Sequence, residues 1–311
     1  MNIRKIKKCR ACHSEKFISL FSLGEQHLTG VFPIKGQPSP PKAPLKLLLC
    51  NNCGLVQLAH SCDPSFLYGP SYGYRSGLNK SMRQHLQHTA NYLASFLELE
   101  AEDVVCDIGC NDGTLLSYFS INGLSKIGVD PLADKFKHHH PEGLNIRSDF
   151  FSKSAFQLLS KKPAKLITSL SMFYDLEDPV GFVRDIRDCL EDEGVWYFEQ
   201  SYLKLMLDNN SYDTICHEHL EYYSFKAISS ILAKAEMKIV DAKLNNVNGG
   251  SMAITSAKKQ SRYSQTQRAK SLILAESEAK LTDPDTYKAF IDRCDIHGES
   301  LRNKLATLRA A

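Results

Sequence analysis

Two pairs of cysteines, Cys9-x-x-Cys12 and Cys50-x-x-Cys53, have the spacing at which four thiolates can close around one metal ion. Four sulfurs at about 2.3 Å satisfy a tetrahedral Zn²⁺ and leave no open position, so the expected zinc is structural rather than catalytic. His13, His60 and Cys62 are the nearest competitors as ligands. A second pattern runs Val104-Val105-Cys106-Asp107-Ile108-Gly109-Cys110-Asn111-Asp112-Gly113. It reads as a strand, a glycine turn and the start of a helix, the place where doubly wound sheets bind nucleotides. A dinucleotide site calls for G-x-G-x-x-G, whose middle glycine lets backbone approach a pyrophosphate. Here that position is Asn111, and the spacing is D-x-G-x-x-x-G. The pattern suits a cofactor without phosphate, and S-adenosylmethionine fits. Its amino-acid end is expected against the turn formed by Asp107, Gly109, Cys110 and Asn111. Asp130, at the end of the next strand, is placed for both ribose hydroxyls. Asp149 and Phe150, after the third strand, are placed for the adenine amine and ring face, and Ser171, after the fourth, joins the same set.

These residues need a frame, and hydrophobic periodicity supplies one. Residues 79–98 have helical spacing through Met82, Leu86, Leu93, Phe96 and Leu97. From residue 103 short apolar runs alternate with helical segments. Strands are expected at 104–108, 127–130, 144–147, 166–170 and 194–199, with helices starting at Thr114 and covering 178–190. Such alternation means an α/β fold with a doubly wound (Rossmann-like), mostly parallel sheet. Ser224 reads as the N-cap of a helix to about Glu236. Two further strands follow at 238–244 and 251–257, and the chain beyond 258 is charged and helical. His138 to His140 read as solvated residues at a helix end.

Residues 1 to about 75 differ. They hold both cysteine pairs, a proline-rich stretch (Pro33, Pro38, Pro40, Pro41, Pro44) and aromatic-glycine punctuation (Tyr68, Gly69, Pro70, Tyr72, Gly73, Tyr74). This reads as a small loop-rich module that needs a metal staple to fold. The expected division is a zinc-binding module at 1–76, a cofactor-binding domain at 77–258 and a helical tail at 259–311.

Composition narrows the function classes. The 311 residues are 43% hydrophobic and 23% charged, enough to bury a sizeable core. With 38 Lys plus Arg against 35 Asp plus Glu, the formal net charge of +3 does not call for a nucleic-acid or membrane partner. No basic stretch is interleaved with aromatics for base stacking. No apolar run approaches the ~18 residues of a membrane span, and no apolar signal region follows the basic N-terminus. Ten cysteines in a chain expected to be cytoplasmic point to metal binding, packing or reactivity rather than a disulfide framework.

The order of motifs adds a resemblance. A two-knuckle zinc module precedes Tyr72-x-Tyr74-x-Ser76, then the cofactor sheet. After the fifth strand comes Asn210-Ser211-Tyr212-Asp213-Thr214-Ile215-Cys216-His217-Glu218-His219-Leu220-Glu221-Tyr222-Tyr223-Ser224. From about residue 9 to 257 the chain resembles the class I S-adenosylmethionine-dependent sugar C-methyltransferases, which add a methyl branch to a nucleotide-linked keto-deoxysugar. The resemblance implies that Tyr74 and His219 face the reacting sugar carbon, with Glu218 beside them. A carbon next to a ketone must lose a proton before it attacks the sulfonium methyl. Imidazole titrates near neutrality and suits that base role. Hydrogen-bond donors stabilise the enolate oxygen as charge develops.

Two positions depart from the family pattern: Cys216 stands where the family has a tyrosine, and Asp175 where it has a histidine. The family also carries a further C-terminal α/β domain, of which residues after 258 resemble only the opening helices. A partner chain supplying the remainder is one expectation. The resulting reading is a zinc-containing C-methyltransferase acting through an enolate on a nucleotide-linked deoxysugar or similar small molecule. An O- or N-methyltransferase acting on a small molecule, and an inactive cofactor-binding scaffold, are the alternatives.

Overall fold

The computed structural model of the protein describes residues 3–29, 33, 35–68 and 72–310. Gly69 and Pro70 of the aromatic-glycine segment lie outside the described residues, as does Ala311. The N-terminal part contains β1 (Ile3–Lys5), β2 (Phe17–His27), β3 (Lys42–Cys50), β4 (Val56–Leu58) and β5 (His60–Cys62). The remaining strands are β6 (Val104–Ile108), β7 (Ser125–Val129), β8 (Asn145–Arg147), β9 (Ala164–Leu170), β10 (Leu190–Ser201), β11 (Glu221–Tyr222), β12 (Met237–Asn245) and β13 (Ser251–Lys258).

Seven strands form the central sheet in the order β12-β13-β10-β9-β6-β7-β8. The run from β8 to β10 pairs in parallel, and β13 lies antiparallel to both β10 and β12. Because side chains alternate across a strand, each strand feeds two cores. Val104, Cys106, Ile108, Trp196 and Phe198 enter the core beneath helices Pro179–Cys189 and Phe225–Lys234. Val105, Val195 and Tyr197 enter the opposite core with Leu86, Ala90 and Leu93 of helix Lys80–Phe96. Burial of both faces explains why these strands read as unbroken apolar runs.

Helix boundaries follow local chemistry. Asn79 accepts a hydrogen bond from Ser81 N at 3.0 Å, and Ser224 caps its helix through Ala227 N at 3.1 Å. Asp178 caps the helix that Pro179 begins, accepting from Gly181 N at 2.9 Å. The charged C-terminal part folds as helices Gln267–Glu278 and Asp285–Ala310.

The loop-rich expectation for residues 1–75 requires correction. Residues 17–27 and 42–50 form long paired strands, and the second sheet has the order β11-β4-β3-β2. Leu45, Leu47, Leu49, Val56 and Leu58 form a genuine core with Leu203, Met206, Tyr222, Tyr287 and Phe290. Its covering residues come largely from 203–222 and 281–294, distant in sequence, so a local reading of the segment finds too little apolar surface. His140 departs from expectation as well. It is half-buried, and its Nε2 donates to the Asn111 carbonyl at 3.2 Å, while His138 and His139 are exposed.

Asp107 is buried in β6 and accepts from the Thr168 hydroxyl of β9 at 2.7 Å. Burial pushes its carboxyl up to about 7; the Thr168 bond opposes this and the Asp130 charge adds to it. A carboxyl raised in the folded state keeps its proton while the unfolded chain releases one. Stability therefore falls as pH rises from the ordinary 3.8 toward about 7, by on the order of 4 kcal/mol. Asp107→Asn should flatten that fall, which urea denaturation midpoints at pH 4 to 8 will measure. An unchanged pH profile would contradict the assignment.

Candidate active site and zinc centre

The four sulfurs of Cys9, Cys12, Cys50 and Cys53 lie within 4.8 Å of one another. Cys9 and Cys53 Sγ are 3.6 Å apart, and Cys12 and Cys50 Sγ are 3.5 Å apart. Tetrahedral zinc thiolates place sulfurs about 3.8 Å from each other, so the donor set fits Zn²⁺. Each knuckle is closed by backbone: His13 N donates to Cys9 O and Gly54 N to Cys50 O, both at 2.9 Å. Gln57 Nε2 donates to Cys9 Sγ at 3.1 Å, which orients the ligand from outside the cluster. The competitors His13, His60 and Cys62 are not part of the cluster.

A cavity of 330 Å³ opens at the carboxyl ends of β6, β7, β9 and β10, where an open α/β sheet changes winding direction. Gly109 and Asn111 carry the chain out of β6, both in the left-handed region at φ +71° and +52°. A Cβ on Gly109 would also sit 3.2 Å from Met172 Cγ. Asn111 tolerates that backbone better than most side chains, and its amide makes two further bonds. Its Oδ1 accepts from Ser76 N at 3.0 Å, and its Nδ2 donates to the Tyr74 carbonyl at 3.2 Å. Asp112 accepts from Gly77 N at 2.9 Å. The turn thus holds the 74–77 segment against the cavity, and Tyr72 and Tyr74 line it.

Asp130 lines the cavity with its carboxylate fixed by Asn111 N at 2.9 Å and Leu132 N at 2.6 Å. Burial raises this carboxyl, and those two N–H groups pull it back. Each oxygen keeps a lone pair for a ribose hydroxyl. Gly109, Asn111, Phe150 and Ser171 also line the cavity. Ser171 is likewise left-handed at φ +55°, and its N–H donates to Glu199 O at 2.7 Å.

Other expected cofactor residues lie elsewhere. Asp107 bonds Thr168 within the sheet. Cys110 turns its thiol into the core toward Gly128, where any Cβ would come within 2.7 Å of the sulfur. Asp149 is bound to Arg147 Nε at 3.0 Å and to Phe150 N at 2.9 Å, outside the lining.

The lining has an unusual charge balance. Among the described residues it contains four carboxyl side chains, Asp130, Asp175, Glu177 and Glu199, and no Lys, Arg or His. Such a cavity suits a cationic sulfonium and disfavours a pyrophosphate. Sequence reading missed Glu177 and Glu199. The signal for Glu199 was an acid ending an apolar strand; in the fold it bonds His85 Nε2 and Asn245 Nδ2, each at 2.8 Å.

The structure does not bring Tyr74 and His219 into one cavity. His219 lies behind Tyr174, with ring centroids 4.0 Å apart, and is absent from the lining. Its Nδ1–H donates to Thr214 O at 2.9 Å, leaving Nε2 unprotonated, and burial lowers its pKa. Glu218 accepts from the Thr29 hydroxyl, and His217 bonds Ala43 O at 3.0 Å. Both therefore anchor the 216–219 loop to the zinc module, His217 to β3 and Glu218 to Thr29 after β2.

With this geometry in hand, comparison with known proteins is decisive. A methyltransferase domain model matches residues 78–242, more than half of the chain. The chain belongs to the methyltransferase-domain family. Its S-adenosylmethionine cofactor agrees with the anionic cavity, and its structural zinc with the cluster of four cysteines. A zinc binding domain model matches residues 9–68, and a C-methyltransferase C-terminal domain model matches 246–311. The latter match begins within the segment assigned to the cofactor domain, so sequence of this C-terminal domain is present from residue 246.

The chain is 26% identical to C-methyltransferase NovU of Streptomyces niveus over 259 residues, covering 82% of this chain and 61% of the relative. It is 28% identical over 131 residues to the ubiquinone biosynthesis O-methyltransferase of Histophilus somni, covering 39% and 51%. The chain thus spans less than two thirds of either curated relative. Among solved structures, magnesium protoporphyrin IX methyltransferase of Synechocystis PCC 6803 is similar at TM-score 0.45 and 12% identity, covering 60% of this chain and 90% of that one. An S-adenosylmethionine-dependent methyltransferase of Clostridium acetobutylicum is similar at TM-score 0.43 and 13% identity, covering 57% and 92%.

Elemental analysis of the purified protein should find one zinc per chain, and chelation should lower the melting temperature by destabilising the β2–β4 sheet. Zinc-free protein with unchanged melting would contradict this. Asp130→Ala removes two charge-assisted hydrogen bonds of about 1.5–3 kcal/mol each. Calorimetry should therefore show S-adenosylmethionine affinity falling about 100-fold or more. Equal affinity would remove Asp130 from the ribose site.

Proposed function

We propose that this protein transfers a methyl group from S-adenosylmethionine to a carbon next to a ketone, on a nucleotide-linked deoxysugar or similar small molecule. The observation that carries this reading is the chain order: a zinc module, a methyltransferase domain and a C-methyltransferase C-terminal segment in one polypeptide. The likeness to NovU supports it. A cavity with four carboxyls and no cation suits a neutral sugar ring, with the diphosphate of a nucleotide sugar held outside it. The alternative, methyl transfer to oxygen, draws on the likeness to an O-methyltransferase over 131 residues.

In our reading the chain works as the three parts 1–76, 77–258 and 259–311, in the cytoplasm, where its thiols stay reduced. Bound cofactor supplies an electrophilic methyl group. Gly109, Asn111, Asp130, Phe150 and Ser171 hold it, with Asp107, Cys110 and Asp149 shaping the same strand ends. Tyr74 lines the cavity, which supports a place for it against the acceptor. His219, with Glu218 beside it, is our candidate for the base that removes the acceptor proton. Its unprotonated Nε2 suits that task, and its place behind Tyr174 requires the 210–219 loop to shift toward the cavity.

Methyl transfer should be assayed with 4-keto-deoxysugar nucleotides, together with solvent deuterium exchange at the acceptor carbon. His219→Gln should lower turnover about 10²–10⁴-fold and abolish exchange while cofactor affinity holds. A loss below tenfold would move proton abstraction to a group lining the cavity. Methylation of an oxygen acceptor, insensitive to this change, would establish the alternative.

A further inference from the structure

Three of the four cavity carboxyls have cationic, imidazole or backbone N–H partners. Asp130 has two N–H donors, and Glu199 has His85 and Asn245. Glu177 pairs with Arg4 at 2.8 Å and Arg10 at 3.5 Å. Asp175 differs. Its Oδ2 accepts from the Tyr68 hydroxyl at 2.7 Å, and its Oδ1 is buried without a hydrogen-bond partner. Tyr68 and Asp175 both line the cavity.

We propose that Asp175 donates a hydrogen bond from Oδ1 to the carbonyl oxygen of the acceptor, with Tyr68 fixing the carboxyl through Oδ2. The proposal rests on the C-methylation reading above. The C=O oxygen of a protonated carboxyl is a better acceptor than its O–H oxygen, so with Tyr68 donating to Oδ2 a proton on this carboxyl belongs on Oδ1.

The surroundings favour that proton. Tyr68 and Tyr72 face the carboxyl from the N-terminal side, and Tyr174 is its neighbour in sequence. Cys216 and Glu218 face it from the 216–219 loop, and Glu221, Tyr222 and Tyr223 from β11 and the residue after it. All are neutral or acidic. The cation on that side, Arg10, faces Glu221 and Tyr223. Burial pushes the Asp175 carboxyl well up, the Tyr68 bond opposes this, and the Glu218 charge adds to it.

As the base removes the proton from the acceptor carbon, negative charge moves onto the carbonyl oxygen and strengthens the bond from Oδ1. As the new carbon–methyl bond forms and the S–CH₃ bond of the sulfonium breaks, its electron pair leaves on sulfur as a neutral thioether, the C=O double bond is restored and the charge on oxygen disappears. Asp175 keeps its proton throughout, so the group acts as an oxyanion donor and not as the base.

Infrared difference spectra of the parent protein against Asp175→Asn at pH 7 should contain a protonated-carboxyl C=O band, shifted in Tyr68→Phe. In the keto-sugar assay Asp175→Asn, which keeps an N–H donor, should lose less than tenfold in turnover. It should also lose the alkaline limb, because parent activity falls as pH rises through the raised Asp175 pKa. Asp175→Ala should lose about 10²–10³-fold. No carboxyl band, or an Asp175→Asn variant as inactive as Asp175→Ala, overturns the proposal. The infrared arm needs no acceptor. A Tyr68-sensitive band without keto-sugar turnover therefore supports the Asp175 assignment and overturns only the acceptor reading.

Discussion

Asn111 connects the segments from which the cavity is built. Its left-handed backbone turns the chain out of β6, its N–H fixes Asp130 at the end of β7, and its carboxamide holds the backbone of residues 74–76. A glycine would accept the same backbone but could not hold the Tyr74 segment. A β-branched residue would meet strain at that φ. The residue that departs from the dinucleotide pattern is thus also the one that brings the aromatic wall to the cofactor turn. His140 adds a further hydrogen bond to the same residue through the Asn111 carbonyl.

The zinc module and the cofactor sheet are interlocked rather than merely adjacent. Chain from beyond the fifth strand of the sheet domain returns as β11 to pair with β4, and Leu58 N donates to Leu220 O at 2.9 Å. Arg10, between two cysteine ligands in sequence, is buried. It donates to Leu58 O and Ser61 Oγ at 2.8 Å each and lies 3.7 Å from Glu221. Its Nε has no hydrogen-bond partner and is balanced instead by the Glu177 and Glu221 carboxyls at ion-pair distance. The knuckle that carries it is therefore tied to the strand that follows the 216–219 loop. Helix Asp285–Ala310 packs on the same sheet through Phe290 against Phe21, with centroids 6.1 Å apart. The loop carrying His219 and the C-terminal helix share one core with β3 and β4, and β3 ends on the ligand Cys50.

Electrostatics separate the roles of the cavity carboxyls. Those near the cofactor turn and the strand ends have donors that stabilise negative charge, which suits attraction of a sulfonium. Asp175 sits where burial and the Glu218 charge disfavour ionisation, and only the Tyr68 bond opposes them. Placing acids in contrasting environments gives one cavity two kinds of chemistry at a single pH.

The cofactor strands were legible because a sheet buried on both faces writes itself as short apolar runs, and β6 falls on the expected residues. The caps at Asn79, Asp178 and Ser224 and the metal spacing of the four cysteines are equally local signals. The sheet of the zinc module was not legible, since its covering residues arrive from 203–222 and 281–294. Nor could sequence separate Asp130, which faces the cavity, from Asp107, Cys110 and Asp149. All four lie in or just after strands, and only the pleat and the packing of neighbouring segments decide which way each points. The Glu218-His219 motif shows the same division. Its residue types announce proton chemistry, while its burial behind Tyr174 comes from the pairing of β11 with β4. Sequence by itself determined the ligand spacing, the strand periodicity and the phosphate-free turn, because each is a relation between near neighbours. Tertiary structure decided which carboxyls share a cavity and which of them are buried without a cationic, imidazole or backbone N–H partner, because both depend on groups brought together from distant chain.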